Sequence, residues 1–248
     1  MLSAIIITFN EEKNIGRCID SLQDVADEIV VVDSFSMDNT ETICREKKVR
    51  FIQHAFEGYA LQKNFAMQLA THDYLLSLDA DECLSDELKK SVLEAKKNFS
   101  KDGYAMNRLS NFSGKWIYHS GWYPDRKLRL WNRTKGEWTG LYIHEKVTMQ
   151  PQASTALLKG NLLHYTVTSM EQFKNQQEKF AAIAALEILK QGKKSNRFLN
   201  GLRASLMFVR RYFFQLGFLD GYYGWVICKE AARYTFRKYQ KANELCKA

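Results

Sequence analysis

Two carboxylates one residue apart, Asp79 and Asp81, close the apolar run from Tyr74 to Leu78. On extended chain, residues i and i+2 point the same way, so this Asp-x-Asp pair offers hard oxygen ligands to Mg²⁺ or Mn²⁺, with phosphates completing the shell. An uninterrupted apolar run of this kind suits a strand buried on both faces of an α/β sheet, and such sheets bind ligands beyond the carboxyl ends of their strands. Taken alone, the triplet is also what a solvated helix approach looks like, and Ser85 followed by Glu87 and Leu88 reads as a helix beginning.

The elements needed to position these carboxylates can be read upstream. Ala4 to Thr8 is a buried first strand, and Ile15, Cys18, Ile19 and Leu22 then recur at helical spacing. Glu28 to Val32 makes a second strand ending at Asp33, Thr40 to Lys48 a helix, and Val49 to Gln53 a third strand. Gly58 to Ala70 is amphipathic, and the Asp79 strand follows. Strand alternating with helix predicts an α/β fold with a mostly parallel, doubly wound sheet. The polar sequences Asn10-Glu11, Asp33-Ser34 and Asp79-Ala80-Asp81 all fall at strand carboxyl ends, so they are expected to share one crevice.

The chain has 248 residues with 46% hydrophobic content, enough for a full core. No basic n-region or cleavage site precedes the run Ala4 to Phe9, which leads to the expectation of a cytoplasmic protein. Five cysteines without a C-x-x-C pair are expected to be reduced thiols with no assigned chemistry. The net charge of +8 is compatible with a nucleic acid, a membrane surface or a phosphorylated substrate. Its basic excess lies largely in the tail, among aromatic residues. The uncharged core of that tail, Tyr212 to Leu219, is far short of the roughly 20 apolar residues of a spanning helix. The tail's composition fits helices lying on an anionic membrane surface.

No G-x-G-x-x-G follows the first strand and no G-x-x-x-x-G-K-[ST] occurs, which disfavours a dinucleotide dehydrogenase or a P-loop enzyme. Between Gly103 and about Val167 aromatics are dense, Trp116, Tyr118, Trp122, Tyr123, Trp131, Trp138 and Tyr142 among them. Such rings either pack flat sugar faces or belong to a core or lid.

Four features in order, Thr8-Phe9-Asn10-Glu11, Asp33, Gln62-Lys63-Asn64 and Asp79-Ala80-Asp81, resemble glycosyltransferase family 2, inverting nucleotide-sugar enzymes of the GT-A fold. The specific motifs cover roughly residues 1–167, leaving 168–248 as a helical, basic-aromatic extension. Arg129-Leu130-Trp131-Asn132-Arg133, Trp138-Thr139-Gly140, His144-Glu145, His164 and the Gly217 to Gly221 segment are similar to the branch that contains lipopolysaccharide core β-glucosyltransferases.

The resemblance implies a UDP-sugar donor, with Asp33 reading the uracil and the Thr8, Asn10 and Glu11 loop packing round the nucleoside. It implies that Lys63 serves the diphosphate, with Gln62 and Asn64 orienting that wall. Asp79 would face the ribose and the metal-bound phosphate, Asp81 would ligate the metal, and His164 is the candidate further ligand. For the base that takes the acceptor proton, Glu145 is the choice and Asp125 its rival. His144 would orient the acceptor or the base, and Arg129 would bind a phosphate. The acceptor implied is a glycolipid such as a lipopolysaccharide inner core, at the inner face of the cytoplasmic membrane. A sugar-nucleotide nucleotidyltransferase is the alternative on the same sheet, disfavoured because the loop after the first strand lacks a Gly-rich basic sequence. Nucleic-acid binding through the tail is a second alternative; no nucleic-acid partner is expected.

Overall fold

The computed structural model describes residues 1–140, 145–191 and 196–246. Two compact units emerge, one comprising Met1–Arg108 with Asp125–Tyr165, the other Leu109–Pro124 with Thr166–Ala248.

The first unit opens with β1 (Leu2–Thr8), α1 (Ile15–Asp20), β2 (Glu28–Asp33), α2 (Thr40–Glu46), β3 (Arg50–Gln53), α3 (Tyr59–Leu69) and β4 (Tyr74–Asp79). It continues through β5 (Glu82–Leu84), α4 (Asp86–Lys96) and β6 (Gly103–Phe112), whose end passes into the second unit, where β7 is Lys115–Trp116. Then come β8 (Asp125–Asn132), β9 (Gly136–Thr139), β10 (Lys146–Met149) and β11 (Thr155–Val167). The sheet order is β3-β2-β1-β4-β8-β6-β11-β5, with β9 and β10 a separate antiparallel pair. The fold is GT-A-like: strands β3, β2, β1 and β4 run parallel as the alternating pattern predicts. β8 joins antiparallel to β4, so the half of the sheet beyond it breaks the doubly wound grammar.

Burial explains the strands. Residues 2–6 of β1 and Leu75, Leu76 and Leu78 of β4 are all buried, because helices cover both faces of the parallel half. One face packs Ile6, Ile15, Ile19, Leu22, Leu76 and Leu88 into a core; the other sets Ile5, Val30, Val32, Leu75 and Trp131 against Ala66 of α3. Ser85 caps α4, its Oγ accepting the Leu88 N–H at 3.3 Å.

The second unit holds α5 (Met170–Lys190), α6 (Arg197–Val209), a π turn at Arg210–Phe214, a 3₁₀ turn at Gly217–Asp220 and α7 (Gly221–Leu245). Asp220 is its clasp: the carboxylate accepts the Tyr118 N–H at 3.2 Å, the His119 N–H at 3.0 Å and the Ser120 hydroxyl at 3.0 Å. Phe112, Ile117, Val167, Phe173 and Ile227 make the local core. Among the described residues no helix is long and apolar enough to cross a membrane.

Candidate functional site

The parallel strands bring three motif residues into one row. Thr8 pairs with Asp33 and its neighbour Ile7 with Asp79, so the carboxyl ends of β2, β1 and β4 lie side by side. The chain winds from β1 out to β3 and returns to β4 on the other side of β1, which makes β1/β4 the switch point where such sheets bind ligands.

Beyond β1, the chain turns at Asn10, whose φ of 54° is left-handed, a conformation Asn tolerates. Asn10 Oδ1 accepts the Met37 N–H at 2.8 Å and its own N–H donates to Ser36 Oγ at 2.8 Å. The Glu11 N–H donates to Thr40 Oγ1 at 2.9 Å. The loops after β1 and β2 are thus sewn into one wall. Asp33 is fully buried at its base and accepts from the N–H and the hydroxyl of Ser36. Thr8 Oγ1 is buried without a hydrogen-bond partner among the described residues. Burial pushes the Glu11 carboxyl up, and the charges of Asp81 and Asp38 add to this against the Asn14 hydrogen bond.

Helix α3 supplies the opposite wall, and its three motif residues do different work. The Gln62 amide spans the ends of β2 and β3, donating to Ser34 Oγ at 3.1 Å and His54 O at 3.2 Å. Asn64 clamps β9 through Trp138, donating to its carbonyl at 2.9 Å and accepting its N–H at 3.1 Å. Lys63 is 1% exposed, yet its ammonium lies 2.8 Å from Asp79 Oδ1 and 3.3 Å from Glu145 Oε1. The same ammonium sits 4.3 Å from the Trp138 ring centroid, an aromatic face that favours a cation.

Arg129 of β8 reaches the far side of Asp79. Its Nη2 is 2.7 Å from Asp79 Oδ2 and 2.7 Å from Glu82 Oε1. Glu82 also pairs with Arg108 at 3.3 Å and accepts the Asp79 N–H at 3.1 Å. The result is a ladder of alternating charge: Arg108, Glu82, Arg129, Asp79, Lys63, Glu145. Burial alone would raise the Asp79 pKa, but the Arg129 guanidinium and the Lys63 ammonium outweigh it and hold the carboxyl well below the usual range. Burial would likewise weaken the charge on Arg129, which Asp79 and Glu82 more than restore.

Asp81 stands apart from the ladder. The β5/β11 register sets His164 opposite Glu82, and the Tyr165 N–H donates to Asp81 O at 2.9 Å. These constraints leave His164 Nε2 3.2 Å from Asp81 Oδ2. Among the described residues no group of three or more His, Cys, Asp or Glu clusters with metal-ligand geometry. Asp81 and His164 nonetheless supply a carboxylate oxygen and an imidazole nitrogen, a donor set that Mn²⁺ accepts once phosphate oxygens fill its other positions.

Of the two base candidates, Asp125 is held by Arg108 Nη2 at 2.7 Å and Lys127 at 3.0 Å, while Glu145 pairs with Lys63 at 3.3 Å. His144 lies outside the described residues. Glu82, Arg108 and Ser36 escape sequence reading. Glu82 adjoins the Asp-x-Asp triplet, but nothing local says that its side chain turns back beneath it. Of the aromatic segment, Trp131 and Trp138 are buried and Tyr118 is exposed.

The family model described as Glycosyl transferase family 2 matches residues 3–152, the part of the chain that builds this row of strand ends and both walls. The chain belongs to glycosyl transferase family 2. As a member of that family it is a nucleotide-sugar-dependent glycosyltransferase. Over 98% of its length it is 29% identical to an uncharacterized glycosyltransferase of Rickettsia typhi, covering 87% of that protein. It is also 29% identical, over 95% of its length and 89% of the other, to the lipopolysaccharide core biosynthesis glycosyltransferase LpsC of Rhizobium meliloti. Among solved structures, it is similar to glucosyl-3-phosphoglycerate synthase from Mycobacterium tuberculosis in complex with Mn²⁺, UDP and glucosyl-3-phosphoglycerate. That likeness has 19% identity and a TM-score of 0.38, over 45% of this chain and 44% of the other.

Proposed function

We propose that this family 2 enzyme inverts the sugar carbon as it moves a hexose, glucose from UDP-glucose, onto a glycolipid of the lipopolysaccharide inner-core type. The observation that carries this reading is the row Asp33, Thr8, Asp79, flanked by Lys63 and Glu145 on one side and Asp81 with His164 on the other. Similarity to LpsC along nearly the whole chain supports the choice of acceptor.

In this reading the Thr8, Asn10 and Glu11 loop and Asp33, fixed by Ser36, form the nucleoside wall. Thr8 Oγ1, a buried hydroxyl without a partner among the described residues, is suited to a ligand's polar group. Gln62 and Asn64 act by holding α3 against β2, β3 and β9, which fixes Lys63 beside the diphosphate. Asp81 and His164 would hold Mn²⁺ or Mg²⁺, which when bound offsets the negative charge that develops on the departing nucleoside diphosphate. Asp79, with both oxygens engaged by cations, faces the ribose and phosphate side without serving as the primary metal ligand. Arg129 supports the phosphate site through Asp79.

Glu145 takes the proton from the acceptor hydroxyl as that oxygen attacks C1 and the C1–O bond to the diphosphate breaks. Lys63, 3.3 Å away, orients this carboxylate. The transfer chemistry belongs to residues 1–167, with 168–248 as an extension that serves a membrane-held acceptor at the inner face of the cytoplasmic membrane.

The test is thermal unfolding with UDP, UDP-glucose, GDP, CMP or ATP, each with Mn²⁺ or with EDTA, followed by transfer assays on inner-core glycolipid. Selective, metal-dependent stabilisation by uridine nucleotides is expected, since a ligand that binds only the folded state raises its stability. Indifference to every nucleotide would overturn the donor assignment.

A further inference from the structure

Helix α6 half-buries Ala204, Met207 and Phe208 but carries a second apolar stripe on its exposed side. Its only buried residue is Asn200, and Arg203 lies with its guanidinium 4.4 Å from the Tyr239 ring centroid of α7. Phe198, Leu202, Leu206 and Val209 are all exposed. At about 100° per residue these four fall within an arc of roughly 80°, a single stripe along the helix. A stripe of that spacing belongs in a core, yet here it faces outward, with Phe198 80% exposed. The apolar surface continues past the helix. Phe213, Phe214 and Leu216 in and after the π turn, then Phe218 and Leu219 in the 3₁₀ turn, are exposed as well, and Phe214 reaches 80%. Tyr222 and Trp225 at the start of α7 extend it with rings that suit a water–lipid boundary. A continuous apolar surface of this kind marks an interaction site.

Charge identifies the occupant. From Asn196 to Leu219 the chain has four arginines, Arg197, Arg203, Arg210 and Arg211, and no acidic residue. Arg197 and Arg210, at either end of the stripe, are exposed, as is Lys229 on α7. Asp220, the first acid after this stretch, is buried in its clasp on Tyr118, His119 and Ser120. A second copy of this chain would bring the same positive charges face to face. An anionic leaflet instead meets apolar side chains with acyl chains and arginines with headgroups.

We propose that α6 and the two turns after it form a membrane-docking face that inserts in the plane of an anionic lipid leaflet, with Phe198, Leu202, Leu206, Val209 and Phe213 entering the acyl boundary. The face attaches the protein without spanning the bilayer, in keeping with the absence of a spanning helix among the described residues. It gives a physical means for the membrane-held acceptor read above, but the surface is read from the second unit by itself.

The experiment is co-sedimentation of the full chain with large vesicles of phosphatidylcholine alone or mixed with phosphatidylglycerol, without donor or acceptor. Three proteins are compared: wild type, Leu202→Ser/Leu206→Ser and Arg197→Glu/Arg210→Glu, all four substituted positions being exposed. Thermal unfolding verifies that each variant folds. Expected is binding to the phosphatidylglycerol mixture at least about tenfold tighter than to phosphatidylcholine, weakening with salt. The serine pair should lose binding to both vesicles, and the glutamate pair should lose the preference for phosphatidylglycerol. Wild type that ignores the anionic vesicles, or serine variants that bind undiminished, would overturn the proposal. So would a wild-type dimer that the serine pair converts to monomer with no vesicle binding at any stage, since the stripe would then be a self-association face. Failure here leaves UDP-dependent stabilisation untouched, and failure there leaves vesicle binding untouched.

Discussion

Asp79 and Glu145 share one cation: Lys63 Nζ is 2.8 Å from the first and 3.3 Å from the second, and it is buried with 1% exposure. An ammonium in that position loses its water and regains the cost through these carboxylates and the Trp138 face. The pairing explains why a lysine stands in the middle of an otherwise polar-uncharged triplet on α3. It also ties the strand that bears Asp79 to the segment that bears the proposed base.

Lys63→Met should therefore destabilise the fold by about 1–3 kcal/mol, because Asp79 keeps Arg129 while Glu145 loses Lys63. Urea unfolding measures the loss. A Lys63→Met protein as stable as wild type would mean that the ion pairs give no net stabilisation.

Asp79 makes a pH prediction whose sign follows from its neighbours. Its carboxyl is held well below the usual range, so the unfolded chain takes up the proton first as pH falls. The stability it contributes is complete above the ordinary Asp value of about 3.9 and is lost progressively as pH drops below it toward the folded value. Wild type should exceed Asp79→Asn in unfolding free energy by a constant margin between neutral pH and about pH 5, and the margin should shrink in stronger acid. A margin that grew on acidification would contradict the pairing with Lys63 and Arg129.

The strand ends were legible in the sequence because parallel strands advertise themselves as apolar runs and their polar termini must be adjacent. Thr8, Asp33 and Asp79 follow from that logic alone. Glu82 and Arg108 were not legible, since a buried ion pair joins β5 to β6 and no local pattern encodes which strands become neighbours. The antiparallel turn of the sheet at β8 was hidden for the same reason: Lys127-Leu128-Arg129-Leu130 alternates as a strand does, but nothing in it says which strand it joins or in which direction. Gln62 and Asn64 illustrate a further limit. The sequence singles out both positions, but whether an amide touches a ligand or braces a helix depends on partners far away in the chain, Ser34 and His54 for one and Trp138 for the other.

The metal assignment predicts a divided outcome at the Asp81–His164 pair, whose reactive atoms are 3.2 Å apart. Asp81→Ala should abolish the Mn²⁺-dependent part of UDP-induced thermal stabilisation while leaving the unliganded melting temperature nearly unchanged. His164→Ala should weaken Mn²⁺ binding by about tenfold or more. Titration of Mn²⁺ in the presence of UDP reads both, and equal Mn²⁺ affinity in wild type and Asp81→Ala would sink the assignment.

Glu145→Gln and Asp125→Asn separate the two base candidates. If Glu145 accepts the proton, its amide variant should lose about 10²–10⁴-fold in kcat with UDP-glucose binding preserved. Asp125 is held by Arg108 and Lys127, so Asp125→Asn should cost stability before it costs chemistry. Single-turnover rates alongside donor titrations decide between them, and a normal rate in Glu145→Gln removes it from the reaction.

Glycine gives a paired prediction in the second unit, in which one chemical change has opposite signs. A Cβ on Gly224 would lie 1.9 Å from the Gly217 carbonyl oxygen and 2.9 Å from Asp220 Cβ, so α7 packs directly on the backbone of the 3₁₀ turn. Gly224→Ala must push that turn away, and with it the Asp220 carboxylate that gathers the Tyr118 and His119 N–H groups and the Ser120 hydroxyl. The expected cost is about 3 kcal/mol, at the upper end for overpacking because the clash is with backbone that cannot rotate aside. Gly201, inside α6, meets nothing within 4 Å of the same added atom. There the methyl group only removes freedom from the unfolded chain, and Gly201→Ala should stabilise by about 0.5–1 kcal/mol. Urea unfolding of the two variants against wild type measures both. Equal effects at the two sites would mean that α7 does not rest on Gly217 as the structure has it, and the Asp220 clasp would then need another anchor.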